Sequence, residues 1–80
     1  MLPMASALTQ RIADIIREEL RKREIHQSAL ARHLYPDGSL NASRLRLSRR
    51  LNGHKAFDSD ELDAIGDFLG VPIEFLLDAA

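Results

Sequence analysis

The chain has 80 residues, with three Phe, one Tyr, no Trp, no Cys and a formal net charge of −1. This length allows one small domain, residues 1–80, and a core built mainly from Leu, Ile and Ala favours helices. The absence of cysteine excludes disulfides, thiolate metal sites and cysteine nucleophiles. No apolar run approaches the length of a membrane span, and Met1 to Ala7 lacks the features of a signal peptide, so we expect a cytoplasmic protein.

Charge is segregated along the sequence. Residues 21–55 carry nine Lys or Arg against two carboxylates, a local balance of +7, whereas residues 56–80 carry seven carboxylates and no Lys or Arg. A domain of this kind can approach a polyanion with its middle segment while its acidic part faces away. The distribution therefore favours a polyanionic partner, which the net charge alone conceals.

Two amphipathic helices are predicted in the first half of the chain, after a flexible N-terminal segment at residues 1–5. Apolar residues recur at three- and four-residue steps from residue 6 to about residue 23, which predicts the first helix. Residues 27–34 form the second helix. The segment 35–42 then interrupts the pattern because Pro cannot continue a helix and Asp-Gly favours a turn. We expect Leu40 to return from this loop to the core.

The third predicted helix carries four of the arginines. Between Ser43 and Gly53 these arginines are interleaved with leucines, and Leu47 and Leu51 share one face because they lie four residues apart. Ser43 or Asn41 caps the start of this helix, and Gly53 suits its end. A buried leucine seam with a cationic outer face is what a DNA-reading helix would show, although an arginine-rich solvated helix has a similar composition.

Two more helices are predicted after an extended connection anchored by Phe57. Asp58 caps the fourth helix with Glu61 as its capping-box partner, and Gly70 ends it. Pro72 suits the first turn of a short fifth helix that closes the core. The acidic residues near the fourth helix favour a solvated face, and a contact for RNA polymerase or another protein is the alternative. These residues are Asp58, Asp60, Glu61, Asp63 and Asp67.

Taken together, the order and spacing of these motifs resemble Cro/repressor-type helix-turn-helix proteins, also called the XRE family. Ser-Arg-Arg-Leu-Asn-Gly followed by Phe-Asp-x-x-Glu-Leu and Leu-Gly-Val-Pro is especially similar to regulators of actinobacteria and their phages. The likeness covers roughly residues 8–77. It implies an all-α, compact five-helix lambda-repressor-like domain with a helix-turn-helix at about residues 27–52. Outside these three motifs, the likeness is carried by Gln27, Leu30, Ala31, Leu34, Leu47, Ile65 and Leu76.

The resemblance also implies which side chains contact DNA. The third helix would enter the major groove of a double-stranded DNA operator, with Arg44, Leu45 and Arg49 at the base-reading positions. Leu45 either meets a thymine methyl group or packs inward. The loop before this helix is longer than in the family, and either it is a tolerated surface loop or Tyr35 or Ser39 adds a phosphate contact. The implied contacts to the DNA backbone come from Gln27, Ser28, Ser43, Arg46, Arg50, Asn52, His54 and Lys55.

The hypothesis that follows is a sequence-specific transcriptional regulator, most simply a phage-type repressor or Cro-like protein that acts by occupying its operator. The alternative is an antitoxin or another protein-interaction module with the same fold. Related regulators dimerise to read two half-sites, although no coiled-coil seam or strand for a homodimer is visible here. The sequence has neither a Gly-rich phosphate loop nor a nucleophile-and-base set, so it does not suggest an enzyme. The three histidines do not form a metal set, so we expect neither metal nor cofactor.

Overall fold

The computed structural model describes residues 7–72 and 74–76, and all regular structure within these residues is helical. The elements are α1 (Ala7–Lys22), α2 (Gln27–Leu34), α3 (Leu40–Leu51) and α4 (Ser59–Leu69), and a fifth helical segment follows at residues 74–76. The all-α prediction is confirmed. The flexible segment predicted at residues 1–5 lies outside the described residues.

One apolar cluster joins the helices. α2 packs against both α3 and α4, and α1 packs against α3. Ile16, Leu30, Leu47 and Ile65 are each at most 1% exposed, one from each of the four helices, and Leu76 of the fifth segment is fully buried. Each such side chain contributes about 1.5–3 kcal/mol by leaving water. The leucine seam predicted for the third helix is confirmed, and it faces this cluster.

The ends of α4 follow the sequence signals. The Asp58 carboxylate accepts a hydrogen bond from the Glu61 N–H at 2.8 Å, and the Glu61 carboxylate accepts one from the Asp58 N–H at 3.0 Å. This is the predicted capping box. At the other end Gly70 has φ 74°, in the left-handed region that favours glycine. Both limits of α4 are therefore as predicted.

Helix α3 begins earlier than predicted. Its N-cap is Ser39, whose hydroxyl accepts a hydrogen bond from the Ala42 N–H at 3.1 Å. The connection from α2 is therefore residues 35–39 rather than 35–42. Leu40 does not return to the core, because it occupies the first turn of α3 on the solvent side and is 44% exposed. The start was predicted too late because the spacing of the leucines carries no information about an N-cap that precedes them.

Two side chains fix the connection between α2 and α3. The Ser43 hydroxyl donates to the Tyr35 carbonyl at 2.6 Å, and the Arg32 guanidinium donates to the carbonyls of Pro36 and Gly38 at 3.2 and 3.1 Å. Ser43 is fully buried. Its predicted roles as N-cap and phosphate contact are therefore wrong, because a hydroxyl enclosed between α3 and the turn cannot reach a ligand. Ser43 instead holds the turn against the helix.

Replacing Ser43 by Ala is expected to lower the free energy of unfolding by about 1–3 kcal/mol, because the buried Tyr35 carbonyl loses its donor. Urea denaturation followed by circular dichroism measures this change. The matched control is Ser59→Ala, at an exposed serine in the first turn of α4, which should change stability by less than about 0.5 kcal/mol. Equal denaturation midpoints for the two variants would contradict the assigned role of Ser43.

Candidate nucleic-acid interface

The four arginines of α3 fall into two pairs with different surroundings, and the first pair is turned toward the protein. Arg50 is only 6% exposed, and its Nε lies 2.9 Å from a carboxylate oxygen of Glu61. Its Nη1 also donates to the Arg46 carbonyl at 2.9 Å. The Arg46 guanidinium lies 4.1 Å from the centroid of the Tyr35 ring, within the range of a cation–π contact. Arg46 nevertheless remains exposed.

Arg50, a predicted phosphate contact, and Tyr35, one alternative for a phosphate contact from the loop, are both turned inward and are not available to a ligand. If Arg50 turned outward to bind a phosphate, the Glu61 carboxylate would lose its cationic partner although its side chain is only 12% exposed. Tyr35 is 4% exposed, and its hydroxyl donates to Glu61 at 2.7 Å. Burial and this hydrogen bond raise the pKa of Tyr35 well above its ordinary value, so the phenol stays protonated and keeps donating. Both side chains hold α3 against the start of α4.

The second pair, Arg44 and Arg49, points away from the protein. Both side chains are exposed, and neither forms a hydrogen bond or ion pair with any residue in the described ranges. Leu45 lies beside them with 55% of its surface exposed, so the alternative that it packs inward is excluded. Leu45 and Arg49 lie four residues apart and therefore share one side of the helix. The three predicted base-reading residues thus form one open surface, which we call the α3 outer face.

A groove with a volume of about 460 Å³ runs between the α3 outer face and the start of α2. Gln27, the exposed first residue of α2, lines it opposite Arg44 and Leu45. His26 caps α2, because its Nδ1 accepts a hydrogen bond from the Ser28 N–H at 3.1 Å. The positive end of the α2 dipole therefore opens beside the same groove. The remaining lining residues are Asn41, Leu47 and Ser48.

A second groove shows a cationic contribution from α1, of which sequence reasoning missed Arg17. Arg17 and Arg21 line this groove together with Gln27 and Arg44. Arg17 donates to the Asn52 side-chain oxygen at 2.6 Å, which ties α1 to the end of α3. Arg17 precedes Arg21 by four residues, and this spacing, which places both on one face of a helix, was the available signal.

The other predicted backbone contacts lie around the end of α3 and the start of α2. Asn52 is exposed but engaged, because it also donates to the Ser48 hydroxyl at 3.1 Å. His54 and Lys55 are exposed directly after α3, and the His54 N–H closes the helix by donating to the Arg49 carbonyl at 2.8 Å. Ser28 is half-buried, with its hydroxyl 2.6 Å from His26 Nδ1. Of these four, His54 and Lys55 leave their side chains most available.

Comparisons of this chain with known protein families, with curated proteins and with solved structures find no match. The likeness to Cro/repressor-type proteins therefore rests on the motifs in the sequence. Across residues 7–72 and 74–76, no group of three His, Asp or Glu side chains is arranged to hold a metal ion. Within the same residues, no helix has both the length and the apolar character needed to cross a membrane.

The division of the arginines predicts that replacing one residue from each pair will change stability by very different amounts. Arg50→Ala should lower the free energy of unfolding by about 3 kcal/mol, because it leaves the Glu61 carboxylate without its cationic partner. Arg44→Ala removes the same charge from the α3 outer face and should change stability by less than about 0.5 kcal/mol. Urea denaturation of the two variants tests the division, and a stable Arg50→Ala protein would refute it.

Proposed function

We propose that the chain is a sequence-specific double-stranded DNA-binding transcriptional regulator in which α2 and α3 act as a helix-turn-helix. The observation that carries the proposal is the α3 outer face, where Arg44 and Arg49 are exposed and have no partner among the described residues. An arginine fork can bond guanine O6 and N7 together in the major groove. Two cations held on a packed helix without carboxylate partners suit a polyanionic ligand.

The surroundings of this face also suit duplex DNA. α3 has 12 residues, and a helix of this length extends about 18 Å, enough to follow the major groove across several base pairs. Gln27 and the N-terminus of α2 lie across a groove from Arg44, where the Gln27 side chain and the positive end of the helix dipole can bind a DNA phosphate. Arg46, His54, Lys55 and Asn52 extend the polar surface toward the backbone. In this proposal, different residues therefore contact the bases and the DNA backbone.

As a mechanism, we propose operator occupancy in the cytoplasm. A bound domain at a promoter would block RNA polymerase, as a phage-type repressor or a Cro-like protein does. A homodimer on two half-sites, about one helical turn apart, would increase the affinity. The acidic surface of α4 is a candidate contact for the polymerase, since Asp60, Asp63 and Asp67 are exposed there.

Arg49→Ala is expected to weaken binding to the cognate operator by about 1–3 kcal/mol and to weaken binding to random DNA far less, because it removes a base contact. The operator is first obtained by selecting binding sites from random DNA, and affinities are measured by fluorescence anisotropy. The matched control is Lys55→Ala, which removes the same charge from a predicted phosphate contact. It should weaken binding to both DNAs by similar factors.

The salt dependence of the association constant can rule out DNA binding. Binding that neutralises phosphates releases counterions, so the logarithm of the association constant falls with the logarithm of salt concentration by about 0.9 per phosphate. Lys55→Ala should reduce this slope by about 1. A slope near zero for the unmodified chain would rule out the proposed function. An Arg49→Ala protein with unchanged sequence preference would rule out α3 as the reading helix.

An antitoxin or another protein-binding module is the second candidate, and one surface favours it. Phe75 is 40% exposed and lines an open groove with Ile15, Asp14 and Glu18 of α1. An apolar groove with an acidic rim suits a basic protein partner. If the chain is an antitoxin, a partner should co-purify with the unmodified protein from its own host and be lost with Phe75→Ser. Elution of the unmodified chain without a partner would contradict this candidate.

A further inference from the structure

Leu45 is the most exposed large hydrophobic side chain in the described part of the chain, at 55%. It lies on the α3 outer face, between two arginines that also lack partners. Seven residues line the adjoining groove, and Leu45 and Leu47 are the apolar ones. Leu47 is 1% exposed and belongs to the core. Leu45 is therefore the apolar surface that this groove offers to a ligand.

The major groove of DNA presents one apolar group, the C5-methyl group of thymine. We propose that Leu45 is a specificity-determining residue that packs against a thymine methyl group, one or two base pairs from the guanine bonded by Arg49. This inference rests on the proposed DNA-binding function. It adds to that function a defined feature of the operator, namely a 5-methylpyrimidine close to a guanine.

The spacing follows from helix geometry. Leu45 and Arg49 are separated by four residues, or about 6 Å along the axis of α3. Successive base pairs are about 3.4 Å apart along the duplex. Two side chains that share one side of a helix therefore reach base pairs separated by one or two steps. Arg44 is adjacent to Leu45 in sequence but is rotated by about 100° around the helix, so its contact falls at a different lateral position.

Base analogues in the selected operator test the proposal. Each thymine is replaced in turn by uracil, which keeps the pairing edge and removes only the methyl group. One replacement should weaken binding about fourfold, the effect of leaving one methyl group unburied. Leu45→Ala should bind the thymine and uracil operators equally, whereas Leu45→Met should retain the difference. Leu45 is exposed, so both variants should keep the thermal unfolding midpoint of the unmodified protein.

The guanine is located in the same way, by replacing each guanine with 7-deazaguanine, which lacks the N7 acceptor. The guanine bonded by Arg49 is the one whose replacement weakens the unmodified protein but not Arg49→Ala. It should lie one or two base pairs from the sensitive thymine.

Insensitivity to every uracil replacement, or a uracil effect that persists in Leu45→Ala, would overturn the inference and leave DNA binding intact. A separation above two base pairs would also overturn it, and failure to select any operator would overturn the proposed function as well.

Discussion

The arrangement of the second half of the chain depends on the carboxylate of Glu61. It accepts hydrogen bonds from the Asp58 N–H, the Arg50 guanidinium and the Tyr35 hydroxyl. A carboxylate this far removed from solvent is stable only while these donors are present, because a partly buried charge without partners costs several kcal/mol. The start of α4, the last turn of α3 and the end of α2 are thereby held to one point, and the turn between α2 and α3 is closed by Ser43.

The same constraint orients the α3 outer face. Arg46 and Arg50 lie four residues apart and share the side of α3 that meets Tyr35. Leu45 and Arg49 have the same spacing shifted by one residue, which turns them about 100° around the helix and away from that contact. Once Arg50 is paired with Glu61, rotation of α3 about its axis is restricted. The backbone of the outer face is therefore preorganised, and the conformational entropy lost on binding a ligand would come mainly from the exposed side chains of Arg44 and Arg49.

Local signals in the sequence predicted much of this fold. The bounds of α2 and α4, the capping box and the buried positions of Leu47 and Leu51 follow from periodicity and caps. Apart from the early start of α3 at Ser39 and the exposed Leu40, the errors concern polar residues whose partners are distant in sequence. Arg50 pairs with a carboxylate 11 residues away, and Ser43 bonds a carbonyl 8 residues away. Composition marks arginine and serine as exposed, and nothing local distinguishes Arg50 from Arg49.

Ion pairing also changes the meaning of the local charge balance of +7 in residues 21–55. Arg21 pairs with Glu18, Lys22 and Arg23 pair with Glu19, and Arg50 pairs with Glu61. Four of the nine cations of this segment are therefore paired within the fold, and the exposed cations without such a pair include Arg44 and Arg49 on α3 and Lys55 just after it. A ligand would gain from a few positioned charges more than from a diffuse positive field. Under the proposed function, this favours discrimination between DNA sequences over tight binding to any duplex, since the cations that remain open include those placed to read bases.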